Sequence, residues 1–372
     1  MRVGVPKEVK VQEHRVGVTP EAAREYVAAG HEVLVQTGAG AGIGADDAAY
    51  RAAGATVVAT AGDVFASADL IVKVKEPQPM ELAMLRPGQI LFCYLHLAPD
   101  PDQTRGLIDS GCIAIAYETV TDERGGLPLL APMSEVAGRL CVEVAAFSLR
   151  KQAGGKGMLM GGVPGVPPAR VVVLGGGVVG TQAARGAVGL GAEVTVLDRS
   201  LPRLRELDAL FQGRVRTRYS SVATIEEEVF AADVVIGAVL IPGGSAPRLV
   251  TREMLKHMRA QSVLVDVSID QGGCFETSHP TTHDAPAYVV DGIVHYCVAN
   301  MPGAVPVTAS HALNHATLPF GLALAAHGER ALVLDPHLRR GLNVYRGHLT
   351  CAPAALALGL PDMTPEAALG IA

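Results

Sequence analysis

The segment RVVVLGGGVVGTQAARGAVGLGAEVTVLD, residues 170–198, most restricts how this 372-residue chain can fold. An apolar run leads into Gly175, Gly177 and Gly180, small residues with helical character follow, and a second apolar run ends in Asp198. Strand, glycine turn, helix, strand and acid in this order form the dinucleotide-binding fingerprint. The start of the helix offers unpaired N–H groups to a pyrophosphate. The segment therefore predicts a Rossmann domain that binds a dinucleotide.

Asp198 also bears on which dinucleotide is bound. It lies about 20 residues beyond the turn, where a carboxylate accepts hydrogen bonds from the adenosine ribose and repels a 2′-phosphate. This position favours NAD over NADP. Arg199 and Arg203 follow closely, and an arginine can accommodate a 2′-phosphate, so some NADP use stays open.

Strand-like and helical segments alternate through most of the chain, which predicts parallel strands joined by right-handed crossovers. The predicted strands are residues 2–6, 32–37, 56–59, 69–75, 89–96 and 112–118, and then 170–174, 193–198, 233–239, 262–267, 287–290 and 293–298. Helices are predicted at 20–29 with Thr19 as N-cap, from Ser134 as N-cap to near Lys151, and at 310–327. The Gly- and Pro-rich residues 154–168 are predicted to form a loop, either a linker or a cover for the cofactor.

The two long helices flank the glycine-turn region, one entering and one leaving it. We therefore expect an α/β protein with two Rossmann-like, doubly wound parallel-sheet domains and an active-site cleft between them. The expected domains are residues 1–128 plus 305–372, which would form a discontinuous substrate domain, and residues 129–304, which would bind the cofactor.

Composition excludes several classes of partner. The net charge of −6 is mixed in sign along the chain and gives no basic patch for nucleic acid or anionic membranes. Apolar runs stop short of the ~20 residues of a membrane helix. The six cysteines form no CxxC pair, so we expect reduced, mostly buried thiols. The charged MRVGVPKE start lacks the apolar core of a signal peptide. Together these features predict a soluble, cytoplasmic protein.

Polar residues at the ends of predicted strands are the candidates for chemistry, because ligands bind there in open parallel sheets. Lys75, His96 and Asp270 each follow an apolar run, and Arg15 lies in the loop after the first strand. Each has a plainer alternative: a solvated lysine, a structural histidine, a turn-forming aspartate, a surface arginine. Lys73 shares the two-residue period of Lys75, so either could be the solvated one. Their convergence on a cleft between domains favours a ligand site.

No metal site or hydrolase motif is predicted. His311 and His315 have the spacing of two ligands on one helix face, but no HExxH glutamate accompanies them. There is no GxSxG elbow, and nothing suggests a cysteine nucleophile.

Three stretches carry a family resemblance: GVPKEVKVQEHRVGVTP, GHEVLVQTGAGAGIG and GKGMLMGGVPGVPPARVVVLGGGVVG. They resemble the shared signatures of the L-alanine dehydrogenases and the NAD-binding subunit of proton-translocating transhydrogenases, and the resemblance spans essentially the whole chain. It implies two Rossmann-like domains, NAD as cofactor and a homohexamer. In the transhydrogenase branch, the positions of His96 and Asp270 are not a histidine and an aspartate, so the chain is closer to the dehydrogenases.

The resemblance also implies roles for individual residues. Arg15 and Lys75 would bind the substrate, and His96 and Asp270 would be catalytic. The cofactor contacts would be Ser134, Gly175, Gly177, Val178, Gly180, Asp198, Arg203, Ser220, Val239, Leu240, Val267, Asp270, Val298, Asn300 and Met301. A further contact position of the family, usually basic, is His279 here, so a contact at that point is in question.

The expected reaction is reversible: L-alanine, NAD⁺ and water give pyruvate, ammonium and NADH. His96 suits the proton transfers, and ionised Asp270 suits stabilisation of a cationic intermediate. Arg15 would grip the substrate carboxylate at two points, and Lys75 would polarise the carbonyl. The alternatives are a dehydrogenase for another small amino acid, an imine reductase, the transhydrogenase subunit, or a non-catalytic NAD-sensing module.

Overall fold

A computed structural model describes residues 1–239 and 246–371. The chain divides into two compact units, residues 1–133 with 305–372 and residues 134–304. No helix within these described ranges is both long and apolar enough to cross a membrane.

The first part of the chain alternates strands with helices. The elements are β1 (Arg2–Val5), α1 (Pro20–Ala28), β2 (Glu32–Gln36), α2 (Asp47–Ala52), β3 (Thr56–Val58), α3 (Ala61–Ser67), β4 (Leu70–Val72), α4 (Pro79–Leu82), β5 (Ile90–Cys93), α5 (Pro101–Ser110) and β6 (Ile113–Ala116). The strands are short apolar runs, and β4, β5 and β6 are buried along their whole length. Thr19 caps α1 by accepting the N–H of Ala22, which confirms that prediction.

The second unit repeats the alternation. Its elements are α6 (Ala131–Ser148, which starts before the unit boundary), β7 (Arg170–Leu174), α7 (Val178–Gly189), β8 (Glu193–Asp198), α8 (Leu201–Phe211), β9 (Val215–Tyr219), α9 (Val222–Ala231), β10 (Val234–Gly237), α10 (Arg252–Leu255), β11 (Val263–Asp266), β12 (Ala287–Val290) and β13 (Ile293–Tyr296). Residues 154–168 form no helix or long strand, as expected for a loop.

The last part of the chain belongs to the first unit again. It comprises α11 (Pro306–His327), α12 (Arg330–Leu334), α13 (Pro336–Arg339), β14 (Leu342–Tyr345), β15 (His348–Leu349), α14 (Ala352–Leu358) and α15 (Pro365–Ala368). Helix α11 begins four residues earlier than predicted, because Pro306 fits at the first turn of a helix.

Both units have the doubly wound strand order. In the described residues the first sheet runs β15-β14-β6-β5-β4-β1-β2-β3 and the second β12-β13-β11-β10-β7-β8-β9. In each, the first strand of the unit lies inside the sheet and later strands add outward on both sides, which is the Rossmann order. Strands β1 to β6 pair in parallel, as do β7 to β11 and β13. This confirms the predicted fold class.

Four expectations about individual elements were wrong. The edges carry antiparallel strands, β12 on β13 and β14 on β6 and β15, where only parallel ones were expected. Strand β9 was missed because Arg216 and Arg218 make it look polar. The β14–β15 hairpin was missed, since no strand was predicted after residue 298. Ser134 does not cap α6: the helix begins at Ala131, since Pro132 is tolerated in a first turn, where no N–H is required.

Candidate functional site

The glycine turn of the second unit has the backbone that its sequence predicts. Gly175 adopts φ 101°, which favours glycine, and a Cβ at Gly180 would lie 1.8 Å from the carbonyl oxygen of Gly175. A Cβ at Gly177 would meet no atom of the described residues within 4 Å. The turn thus needs glycine at two positions for its own packing, and it leaves open space at the third.

The start of α7 is suited to an anion. Its N-cap is Gly177, and no side chain caps the helix. The first N–H groups of a 12-residue helix therefore lack a capping side chain, next to the open space at Gly177. The residues present fit the pyrophosphate of a dinucleotide.

Asp198 ends β8 and binds the same turn. Its Oδ2 accepts the N–H of Gly176 over 2.7 Å, and its Oδ1 accepts that of Ser200 over 2.7 Å. A carboxylate has about four acceptor positions, so these two bonds leave capacity for ribose hydroxyls. The side chain is half-buried at the end of its strand.

Arg203 is directed at the turn as well. Its Nε–H donates to the carbonyl of Gly176 over 2.6 Å, one terminal nitrogen donates to the Thr181 hydroxyl over 2.6 Å, and the other pairs with Glu206 over 2.6 Å. All three guanidinium nitrogens have protein partners. The guanidinium therefore braces the glycine turn.

The other predicted cofactor residues of this unit mostly follow the carboxyl ends of its parallel strands. Val239 follows β10, Val267 follows β11, Ser220 follows β9, and Val298, Asn300 and Met301 follow β13. Asn300 adopts φ 64°, a left-handed conformation that asparagine tolerates. Val178 opens α7 and is exposed, and Ser134 lies in the first turn of α6. Leu240 falls outside the described residues.

Asp270 lies in a 3-10 turn, Ile269–Gln271, and is exposed. The loop that carries it is fixed by the buried Asp266, whose carboxylate accepts the N–H groups of Ser268, Cys274 and Phe275. Burial raises the pKa of Asp266 despite these bonds. Asp270 is thus presented to solvent on a well-anchored loop.

His279 lies beyond that loop. Its ring stacks on Tyr288 with the ring centroids 3.8 Å apart, and the backbone N–H of His279 donates to the Tyr288 hydroxyl. The ring therefore has a partner within the unit.

His96 belongs to the first unit and lies beyond β5, which ends at Cys93 rather than continuing to His96. Its backbone has φ 49°, a left-handed conformation that is uncommon for residues other than glycine and is concentrated at functional sites. Glu118 stabilises this conformation by accepting the N–H groups of Leu95 and His96. The imidazole stacks on Tyr94 at 5.8 Å, and its side chain is 44% exposed. It is well placed to exchange protons with a ligand.

Lys73 and Lys75 have opposite environments. Lys73 is completely buried, and its ammonium pairs with Glu8 at 3.0 Å and with Glu81 at 2.8 Å. Burial opposes its charge, but the two carboxylates raise the pKa of Lys73 overall. Lys75 is half-buried. Of the two, Lys75 is therefore the one that a ligand can reach.

Arg15 is 2% exposed, and its guanidinium forms a fork-like pair with Glu13, with Nε to Oε1 at 2.7 Å and a terminal nitrogen to Oε2 at 2.5 Å. Its other terminal nitrogen lies 3.1 Å from the sulfur of Met133. Glu13 thus occupies one edge of the guanidinium, and a substrate carboxylate would have to use the remaining N–H groups or replace Glu13.

Sequence reasoning missed Glu76, which lies between Lys75 and Pro77. Its Oε1 pairs with Lys10, and its Oε2 lies 3.6 Å from Nδ1 of His96. Burial alone would raise the pKa of Glu76, but the contact with His96 and the charges of Lys75 and Lys10 lower it well below its ordinary value. A carboxylate directly after a strand-end lysine was the available signal.

The predicted chemistry involves no metal, and the described residues contain no group of three or more His, Cys, Asp or Glu side chains arranged for one. The rings of His311 and His315 lie 6.5 Å apart and are tilted.

Known proteins resemble the chain over nearly its whole length. Family models match twice, the alanine dehydrogenase/PNT N-terminal domain over residues 4–137 and the C-terminal domain over 141–352. The alanine dehydrogenase of Halomonas elongata is 57% identical and that of Mycobacterium tuberculosis 54%, over 100% and 99% of this chain and 100% of each relative.

Solved structures agree with these relatives. An L-alanine dehydrogenase structure has a TM-score of 0.94 at 52% identity and covers 96% of this chain and 99% of its own. The transhydrogenase of Sinorhizobium meliloti has a TM-score of 0.82 at 27% identity, over 94% of this chain and 100% of its own. This chain belongs to the alanine dehydrogenase/PNT family.

Proposed function

We propose that this protein is an NAD-dependent L-alanine dehydrogenase that interconverts L-alanine with pyruvate and ammonium. One observation carries the choice within the family: His96 presents a half-exposed imidazole beside the buried carboxylate of Glu76. Proton transfer to and from an amine requires such a group, whereas hydride exchange between two nucleotides does not. The far higher identity to the dehydrogenase relatives supports the same choice.

The second unit would hold the cofactor. The start of α7 and the open space at Gly177 would receive the pyrophosphate, and Asp198 would accept the ribose hydroxyls. NAD⁺, when bound, supplies the hydride acceptor for the substrate Cα. The residues that follow β10, β11 and β13 would complete the site.

His96 would perform the proton transfers. A substrate amine must be neutral before its Cα can be oxidised, and the imidazole can accept that proton. The ring would release that proton to solvent before the hydrolytic half of the reaction. It would then take a proton from the attacking water and return it to the departing amine. Asp270, ionised, would stabilise the iminium charge.

Lys75 and Arg15 would bind the substrate. The ammonium of Lys75 would polarise the carbonyl oxygen of pyruvate. Arg15 would bind the carboxylate through N–H groups that Glu13 does not use, since a guanidinium has five N–H donors and Glu13 occupies one edge. Neither Lys75 nor Arg15 would take part in the proton transfers, which His96 would perform.

A homohexamer and a cytoplasmic location are further parts of this proposal. They rest on the resemblance to alanine dehydrogenases. Light scattering on the purified protein tests the assembly, and a mass other than six chains would contradict it.

A spectrophotometric assay tests the proposed activity. NADH formation is followed with a panel of L-amino acids, with NAD⁺ or NADP⁺, and we expect L-alanine with NAD⁺ to be the best pair. A separate assay follows hydride exchange between NADH and an NAD⁺ analogue without alanine. Exchange without alanine turnover would favour the transhydrogenase alternative, and cofactor binding without either reaction would favour a sensing module.

A further inference from the structure

Glu76 has one carboxylate oxygen in an ion pair and one that accepts no hydrogen bond from the described residues. Its Oε1 is paired with the ammonium of Lys10, while Oε2 is buried and has no hydrogen-bond partner in the described part of the chain. The side chain is only 11% exposed. A buried carboxylate oxygen without a hydrogen bond costs free energy of folding, so we expect a hydrogen-bond donor to approach it.

The ring of His96 lies close to that oxygen, with Nδ1 3.6 Å away. An N–H···O hydrogen bond measures about 2.7–3.2 Å, so a small rotation of the exposed ring would close the gap. The backbone of His96 is held by Glu118, and its ring face is stacked on Tyr94. These contacts leave ring rotation as the available movement.

We propose that Glu76 is a positioning residue that holds His96 through Nδ1 and thereby leaves the lone pair of Nε2 for the proton transfers. This inference rests on the proposed function. A carboxylate only accepts hydrogen bonds, so it selects the tautomer with the proton on Nδ1. Nε2 is then the basic nitrogen.

Lys10 takes part by fixing which carboxylate oxygen faces the ring. Its ammonium is a donor only, so it retains whatever acceptor lies at the Oε1 position. This makes the replacement Glu76→Gln informative. The amide oxygen will face Lys10, and the amide NH₂ will face His96.

In Glu76→Gln, Nδ1 of His96 must accept a hydrogen bond from the amide NH₂. The ring proton then lies on Nε2, and Nε2 no longer has a lone pair that can accept a proton from the substrate. We expect kcat with L-alanine to fall about 100-fold or more, as for other histidines held in the wrong tautomer. KM for alanine and NADH affinity should change less than about twofold, because Glu76 binds neither ligand in this scheme. In the double variant Lys10→Met/Glu76→Gln the amide can rotate and present its oxygen to Nδ1, so part of the alanine oxidation activity should return.

The decisive measurement is independent of turnover. Nitrogen NMR of the ¹⁵N-histidine-labelled protein distinguishes protonated from unprotonated ring nitrogens, and His96→Gln identifies the signals of His96. At pH 8 we expect a protonated Nδ1 in the wild type and a protonated Nε2 in Glu76→Gln. The control is Glu253→Gln, which removes a carboxylate from an exposed pair with Lys256 and should change nothing.

The same tautomer in wild type and Glu76→Gln would overturn the proposal, as would a double variant no more active than Glu76→Gln. If the wild type does not oxidise alanine at all, the proposed function fails. The NMR comparison still decides what Glu76 does to His96.

Discussion

Arg203 donates its Nε–H to the carbonyl oxygen of Gly176 over 2.6 Å, so an arginine of α8 braces the middle of the glycine turn. A terminal nitrogen of the same fork donates to Thr181 in α7. Its guanidinium thus joins the turn to the helix that follows it. The sequence left Arg203 as a candidate for binding a 2′-phosphate, whereas this contact indicates that Arg203 stabilises the turn.

Replacing Arg203 with methionine should weaken NADH binding about threefold to tenfold, because one or two hydrogen bonds that hold the turn are lost. Binding of NADPH should not fall more than that of NADH. Fluorescence titration with both nucleotides measures this, with Arg205→Met as a control at an exposed arginine of the same helix. A selective loss of NADPH binding would show that Arg203 serves a 2′-phosphate instead.

Asp198 should control both affinity and selectivity. In Asp198→Ala the N–H of Gly176 and the ribose hydroxyls lose their acceptor, and NADH affinity should fall about tenfold to 100-fold. In Asp198→Asn an oxygen acceptor remains but the charge is gone. We expect Asn to retain more NADH affinity than Ala, and both to accept NADPH better relative to NADH. Unchanged affinities in both variants would remove Asp198 from the ribose site.

Gly180→Ala should abolish dinucleotide binding, since its Cβ would lie 1.8 Å from the Gly175 carbonyl and the turn would have to open. Gly189→Ala is the matched control in the same helix, because its Cβ would meet nothing within 4 Å. That change should leave binding intact and add up to about 1 kcal/mol of helix stability. Equal NADH affinity in the two variants would contradict this account of the turn.

His96→Ala should eliminate alanine oxidation and leave NADH binding nearly intact. The imidazole is the proposed proton acceptor, and the described glycine turn lies in the other unit of the chain. Steady-state rates together with NADH titration separate the two effects. Turnover near the wild-type rate would require another base.

The sequence predicted the structural features that depend on local patterns of residues. Apolar runs predicted the bounds of β7 and β8, and the acid marked the end of β8. The backbone conformation that glycine allows predicted the turn between them. Lys75, His96 and Asp270 were selected as candidates because polar residues that follow buried strands in such sheets face ligands, and their roles stay predictions.

Long-range pairing was beyond that reasoning. Glu8 and Lys73 are 65 residues apart in the sequence, and Lys10 and Glu76 are 66 residues apart. Nothing in either local pattern indicates which carboxylate meets which ammonium. The pairing of Arg15 with Glu13 was also not predicted, although the two residues are only two positions apart. Strand β9 was missed because its charged side chains hide its β-character.

Lys73→Met should destabilise the first unit by about 3–5 kcal/mol at neutral pH, because it leaves Glu8 and Glu81 buried without their cation. The loss should depend on pH. Burial already raises the pKa of Glu8, and removing the ammonium raises it further. A carboxyl whose pKa is higher in the folded than in the unfolded state costs stability when it is ionised.

That cost is therefore greatest above the folded pKa of Glu8 and shrinks as the pH falls toward 4.5, its ordinary value. Urea unfolding at pH 8 and pH 5.5 should show a smaller difference between Lys73→Met and wild type at the lower pH. Lys256→Met removes a lysine from a fully exposed pair and should change the stability little at both pH values. If Lys73→Met is as stable as wild type at pH 8, the buried cluster does not support the strand that leads to Lys75.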